Sequence, residues 1–196
     1  YLKDNEYFGA DTVILSSASS KTSFSLAFLL SEDRHCKVVG LTSAANRGFV
    51  ESMGIYDEVV TYDDIESIDA SKPAAFIDMA GNDAVTARIH HHFGDHCVCS
   101  SGVGMTHWES RDGASAEELP GAKRSMFFAP DQIQKRNREW GPMVYQQTMN
   151  DAWDRFLGEV DNWVSLEYYE GAGSMQQAYL EVLNGAPPNK GVVVVV

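Results

Sequence analysis

Residues 11–30 read DTVILSSASSKTSFSLAFLL, and the order of residue types in this stretch decides the fold. The β-branched, apolar run 11–15 predicts a short buried strand. Residues 16–23 are rich in serine and predict a tight turn, and the apolar residues of 24–30 predict a helix. The stretch is therefore interpreted as a strand, a turn and a helix in succession.

The same alternation continues along the chain. Short apolar runs predict further strands at 36–42, 58–62, 74–79, 96–102, 125–130, 163–169 and 191–196. Helical patterns lie between them at 44–53, 82–93, 131–162 (with a break near Gly141 and Pro142) and 175–183. Strands that are apolar on both faces need helices on both sides of a parallel sheet. The sequence therefore predicts an α/β fold, a doubly wound parallel sheet of the Rossmann type.

Composition and charge exclude several kinds of partner. The chain has 28 acidic and 15 basic side chains and a formal net charge of −13, so its field repels nucleic acid. It has no apolar run of about 18 residues, so we expect no membrane contact. The odd number of cysteines, three, favours reduced thiols in an intracellular protein, and we expect a cytoplasmic location.

Two groups of potential metal ligands are interpreted as structural. Cys97 and Cys99 alternate on a predicted strand, but no partner pair completes a zinc site, so core thiols are expected. His90, His91 and His92 fan out by about 100° each on a helix and cannot chelate together. We expect them to form a solvated helix end, and no metal site is predicted.

Taken in order, several segments resemble the second half of the medium-chain dehydrogenase/reductase superfamily. These segments are strand 11–15 with its turn, VGLTS at 39–43, FIDMAG at 76–81, QQAYLEVLNG at 176–185 and GVV at 191–193. The segments resemble in particular its zinc-independent quinone and enoyl reductase branch, and the likeness covers nearly the whole chain. The lead-in YFGA at 7–10 and the serine-rich turn resemble an uncharacterised branch of that superfamily, which is the closest match.

The resemblance implies a nucleotide-binding Rossmann domain over residues 1–196, whose closing part, about 163–196, is a return segment. It also implies that a separate N-terminal domain, which carries most substrate-binding and catalytic groups, lies outside this sequence. The implied activity is hydride transfer between NADP(H) and a small carbonyl, quinone or enoyl substrate. Catalytic residues are not assigned.

The turn at 16–23 departs from the usual phosphate-binding turn, in which glycines let backbone N–H groups approach a pyrophosphate at a helix N-terminus. It contains no glycine. Hydroxyl groups and one ammonium can instead donate to phosphate oxygens. The candidate residues are Ser17, Ser19, Ser20, Lys21 and Thr22. Two alternatives remain: a well-capped turn in a domain that has lost its cofactor, or a P-loop, which Ser20-Lys21-Thr22 suggests but the absence of glycine disfavours.

The end of the second strand favours NADP over NAD. Sites for NAD usually place Asp or Glu there to accept from the ribose hydroxyls, whereas this chain has Thr42 and Ser43. These small hydroxyl residues leave space for a 2′-phosphate, and Arg47 offers it a guanidinium. The alternative for Arg47 is an ordinary exposed helix arginine.

Further candidates lie at the ends of the later strands. Tyr62 ends the third strand, where related reductases place a tyrosine near the cofactor, although packing is the alternative role. Ligands bind open α/β sheets at the carboxyl ends of the strands. The candidates at the ends of the fourth and fifth strands are Ala80, Gly81, Asn82, Ser101, Gly102 and Val103. His107 is a candidate proton donor, with a loop-filling role as its alternative.

Two hypotheses about function follow. The first is an NADP(H)-binding oxidoreductase with an unknown small-molecule substrate. The second is a non-catalytic Rossmann-fold binding or scaffold module with an altered phosphate turn, because fold alone does not establish activity. A homodimer that pairs through the valine-rich last strand is compatible with the sequence, and the oligomeric state is left open.

Overall fold

The computed structural model describes residues 1–103 and 118–195. The strands are β1 (Thr12–Leu15), β2 (Lys37–Thr42), β3 (Glu58–Thr61), β4 (Ala74–Asp78), β5 (Cys97–Gly102), β6 (Ser125–Met126), β7 (Ser165–Glu170) and β8 (Lys190–Val195). The α-helices are α1 (Lys21–Asp33), α2 (Arg47–Ser52), α3 (Asp83–Phe93), α4 (Ala129–Trp140), α5 (Pro142–Val160) and α6 (Ala172–Leu183). None of these helices is both long and apolar enough to cross a bilayer.

The first six strands form one parallel sheet in the order β3-β2-β1-β4-β5-β6. The order reverses between β1 and β4, and ligands of doubly wound sheets bind at such a reversal. Leu15 pairs with both Gly40 and Ile77, and Asp78 pairs with Gly102. The segments that follow these strands therefore leave the sheet from one edge. The predicted Rossmann-type fold is confirmed.

Local capping explains where two of the helices begin. Ser20 precedes α1 and its hydroxyl accepts a hydrogen bond from the Ser23 N–H, which the helix itself leaves unpaired. Asn82 precedes α3 and its side-chain oxygen accepts from the N–H groups of Ala84 and Val85. Both helices therefore start at the carboxyl edge of the sheet, directly after β1 and β4.

One predicted strand is shorter in the structure. The sequence predicts a strand over 125–130, but β6 contains only Ser125 and Met126, and α4 begins at Ala129. Pro130 lies in the first turn of α4, where its missing N–H costs nothing because that group has no partner within a helix.

The core of residues 1–148 is built on the central strands. Ile14, Val39 and Phe76 are fully buried and form one apolar cluster with Ile89 and Phe93 of α3. Burial of these side chains against the sheet is what holds α3 in place, because each fully buried side chain of this size contributes about 1.5–3 kcal/mol.

Residues 149–196 form a separate compact unit. Its strands β7 and β8 pair in parallel and are joined by α6. Lys190 lies in ion pairs with Glu167 and Glu181. Leu166 and Tyr168 are exposed. The role of this unit as a return segment toward a substrate domain stays a prediction.

Substitution of Phe76 by alanine tests the core. Phe76 is 0% exposed, whereas Phe128 is 60% exposed. Removal of a buried phenyl group loses transfer free energy and leaves a cavity, so Phe76→Ala should lower the free energy of unfolding by roughly 3–5 kcal/mol, as measured by urea denaturation. The control Phe128→Ala should lower it by less than about 1 kcal/mol. Equal losses in the two variants would contradict the assigned core.

Candidate nucleotide-binding site

The serine-rich turn after β1 contains one left-handed residue. Ser17 has φ +52°, and it is the one residue of 16–23 with positive φ. Its N–H donates to the Tyr62 hydroxyl oxygen at 2.8 Å, and the Ala18 N–H donates to the Leu41 carbonyl at 2.9 Å. The usual Rossmann turn places glycine in such positions because a side chain there costs about 1–2 kcal/mol. In this turn a serine therefore takes the left-handed conformation that glycine usually supplies.

Tyr56 braces the same turn from the other side. Its hydroxyl donates to the Ala18 carbonyl at 2.9 Å and lies 3.4 Å from the Ser23 hydroxyl. The ring lies against β2 at Gly40, where a Cβ atom would stand 2.8 Å from the nearest ring carbon. Sequence reasoning missed Tyr56. The available signal was Gly40 inside a strand, because such glycines mark the close approach of another group.

The start of α1 suits an anion. Lys21 and Thr22 are exposed in its first turn, which contains no acidic residue. The N-terminus of a helix carries a partial positive charge and unpaired N–H groups. Partial desolvation lowers the pKa of the Lys21 ammonium from its ordinary value, since burial disfavours the charged form. An anion at this helix start would favour the charged form of Lys21.

The segment after β2 adjoins the turn through a residue that sequence reasoning did not single out. The Asn46 side-chain N–H donates to the Ser19 hydroxyl at 3.1 Å. Thr42 is buried and Ser43 is half-buried. Arg47 is exposed and its Nε donates to Glu51 Oε1 at 2.7 Å, which raises the pKa of the guanidinium. The structure thus brings Ser19 close to Asn46, which lies between Ser43 and the start of α2 at Arg47.

Asp78, the last residue of β4, is a buried carboxylate that joins three parts of the site. It is 1% exposed. Its Oδ1 accepts from the Ser16 hydroxyl at 2.8 Å and from the N–H groups of Ala80 and Gly81, both at 3.0 Å. Its Oδ2 accepts from Arg124 Nη2 at 2.8 Å. Ser16, Asp78 and Arg124 were not among the predicted site residues.

These contacts change the expected role of the residues after β4. The N–H groups of Ala80 and Gly81 already donate to Asp78 Oδ1, so both groups are used within the chain itself. Gly81 has φ +69°, a conformation that favours glycine. Asn82 uses its side-chain oxygen as the cap of α3. Its amide nitrogen is the group that could face a ligand.

The end of β5 lies beside the end of β4, where Gly102 pairs with Asp78. The Val103 N–H donates to the Asp78 carbonyl at 2.8 Å, and the Gly102 carbonyl accepts from the Phe127 N–H at 2.8 Å. Ser101 and Thr42 are both buried, and their hydroxyl oxygens have no hydrogen-bond partner within the described residues. Buried hydroxyls are normally paired, and the described residues supply no partner for these two. His107 lies outside the described residues.

The expectation of a solvated histidine cluster is wrong for His90. This side chain is 1% exposed, with Nδ1 2.7 Å from the Pro120 carbonyl and Nε2 2.8 Å from the Ser100 hydroxyl. Because a carbonyl only accepts, Nδ1 carries the proton and Ser100 donates to Nε2. The neighbouring His91 is exposed. His90 therefore ties α3 to β5 and to the segment before β6.

Cys97 and Cys99 occupy the core as predicted, whereas Cys36 is half-buried. Cys97 and Cys99 are buried free thiols, and burial raises the pKa of each to about 11. Within residues 1–103 and 118–195, no three His, Cys, Asp or Glu side chains lie together as a metal site would require.

The parallel sheet with its reversed strand order and covering helices is a Rossmann-type fold. Residues 1–187 match the family described as "Protein of unknown function (DUF2855)", and the chain belongs to that family. No curated protein sequence matches the chain.

Several solved structures share the fold. The yhdH oxidoreductase from Salmonella enterica, solved with NADP, is 13% identical with a TM-score of 0.57 over 100% of this chain and 58% of that one. A protein described as an NADPH:quinone reductase from Mesorhizobium loti is 12% identical with a TM-score of 0.69 over 100% of this chain and 56% of that one. The Bacillus subtilis protein yhfP, solved with NAD, is 15% identical with a TM-score of 0.58 over 100% and 58%. The chain thus spans less than two-thirds of each.

Two substitutions of Ser17 test the geometry of the turn. Ser17→Gly removes the cost of a left-handed side chain but adds backbone entropy to the unfolded state, so the free energy of unfolding should stay within about 1 kcal/mol of the parent. Ser17→Val places a β-branched residue at positive φ and should lower it by about 1–2 kcal/mol or more. Urea denaturation measures both. Equal stability of the two variants would rule out the left-handed conformation.

Proposed function

We propose that this chain binds NADP(H) and forms the nucleotide-binding half of an oxidoreductase that transfers hydride to a small carbonyl, quinone or enoyl substrate. The proposal rests on the start of α1. The first turn of this helix contains no acidic residue, and it follows a hydroxyl-rich turn at the reversal of strand order. Pyrophosphates bind Rossmann domains at this place. The solved structures with NADP and NAD support the same ligand class.

The residues present fit such a cofactor. The buried hydroxyls of Thr42 and Ser101 have no hydrogen-bond partner among the described residues. Thr42 ends β2 and Ser101 lies on β5, so the two are on opposite sides of the β1/β4 reversal. Lys21 and the first N–H groups of α1 would bind the pyrophosphate, and Ser19 and Ser20 would add hydroxyl donors. When bound, the cofactor supplies the hydride chemistry, while the protein supplies binding and orientation.

The preference for NADP rests on the end of β2. No carboxylate is present there to accept from ribose hydroxyls, because the chain has Thr42 and Ser43. Arg47 is the first residue of α2, and both side chains of its ion pair with Glu51 are exposed. Exposed pairs of this kind contribute little, so a 2′-phosphate can take over the guanidinium. Ser43 and Arg47 are therefore proposed as contacts of the 2′-phosphate.

The remaining candidate residues have two kinds of role in this proposal. Tyr62 holds the turn through the Ser17 N–H, and the N–H groups of Ala80 and Gly81 donate to Asp78. The proposed direct contacts are Ser17, Ser19, Ser20, Lys21, Thr22, Thr42, Ser43, Arg47, Asn82, Ser101, Gly102 and Val103.

Calorimetric titration of the protein with NADPH and separately with NADH tests the proposal. We expect a micromolar dissociation constant for NADPH. The dissociation constant for NADH should be at least about tenfold higher, because only NADPH carries the 2′-phosphate. If neither nucleotide binds at millimolar concentration, the proposal fails, and a non-catalytic binding or scaffold module becomes the better account of the altered turn.

Two variants separate the pyrophosphate from the 2′-phosphate. Arg47→Ala should weaken NADPH about tenfold and leave NADH nearly unchanged, whereas Lys21→Ala should weaken both nucleotides by similar factors. Arg138→Ala, which removes a basic side chain of α4, serves as the control and should change neither affinity. Equal loss of NADPH and NADH affinity in Arg47→Ala would overturn the assignment of NADP.

A further inference from the structure

An ion-pair group of uneven charge lies at the carboxyl edge of the sheet. Arg124 Nη2 is 2.8 Å from Asp78 Oδ2, and Arg124 Nη1 is 2.9 Å from Asp83 Oδ1. One guanidinium thus serves two carboxylates, and the group carries a net charge of about −1 when all three are ionised. The Asp78 side chain is 1% exposed, whereas those of Arg124 and Asp83 are 34% and 48% exposed.

The group belongs to one half of the sheet. Asp78 ends β4, Asp83 begins α3, and Arg124 directly precedes β6. Doubly wound folds of this strand order consist of two mononucleotide-binding halves, and the end of the second strand takes the adenosine ribose. The half formed by β4, β5 and β6 is therefore left for the nicotinamide nucleotide. The uneven ion-pair group lies in that half.

The nicotinamide ring carries a positive charge only in its oxidised form. A net negative group near the ring therefore attracts NADP⁺ more than NADPH. We infer that the Asp78–Arg124–Asp83 group makes this protein bind the oxidised cofactor more tightly than its other contacts alone would. This inference rests on the proposed binding of NADP(H) and concerns its redox state.

Tighter binding of NADP⁺ has a thermodynamic consequence. The ratio of the dissociation constants of NADP⁺ and NADPH fixes the reduction potential of the bound couple relative to the free one. A lower ratio makes bound NADPH a stronger donor of hydride, which carries two electrons and a proton to the acceptor. The group therefore favours reduction of the substrate over its oxidation.

A graded series at Asp83 tests the inference without removing the buried pair. Asp83→Asn changes the net charge of the group to 0, and Asp83→Lys changes it to +1, while Asp78 and Arg124 are themselves unchanged in both. Asn82 still caps α3. Other charges of the site, such as Lys21, are the same in every variant and cancel from the ratio. Asp95→Asn is the matched control, because Asp95 is an exposed carboxylate that precedes β5 at the opposite edge of the sheet.

Dissociation constants of NADP⁺ and NADPH are measured for each variant by calorimetry. We expect the ratio of NADP⁺ to NADPH dissociation constants to rise about threefold in Asp83→Asn and about tenfold in Asp83→Lys, and to stay unchanged in Asp95→Asn. A threefold rise is about 14 mV for a two-electron couple. An unchanged ratio in both Asp83 variants, with binding retained, would overturn this inference and leave the proposed function standing. Failure of the parent protein to bind either form would overturn both.

Discussion

The buried carboxylate of Asp78 is the interaction on which the rest of the site depends. It accepts from the Ser16 hydroxyl at the start of the serine-rich turn, from two N–H groups after β4, and from Arg124 before β6. A buried charge is costly unless it is paired and hydrogen-bonded, so these donors must stay where they are for the protein to be stable. One residue thereby links β1, β4 and β6 at the carboxyl edge of the sheet.

The turn itself shows how a Rossmann site can form without glycines. Ser17 takes the left-handed conformation, and the hydroxyls of Tyr62 and Tyr56 hold the turn through its backbone. Ser20 caps α1, because its hydroxyl accepts a hydrogen bond from the Ser23 N–H. Serines thus preserve the path of the chain, and they add hydroxyl groups that glycines lack. The altered sequence of the turn is therefore compatible with phosphate binding.

Most of the fold could be predicted from sequence, because apolar runs and helical periodicity are local signals. The site could be predicted only where residues near in sequence act together, as in the serine-rich turn. The roles of Tyr56 and Arg124 in the site were not predicted, because their partners are 38 and 46 residues away along the chain. His90 was misjudged although Thr86, His90 and Phe93 share one face of α3 at helical spacing and are all buried. Its burial was therefore open to prediction.

A dinucleotide is proposed to lie across the β1/β4 reversal with its pyrophosphate at the start of α1. A crystal structure of the protein with NADPH tests this placement most directly. We expect phosphate oxygens within hydrogen-bond distance of the first turn of α1, and the 2′-phosphate beside Arg47. A dinucleotide bound elsewhere, or a 2′-phosphate on the far side of the sheet from Arg47, would contradict it.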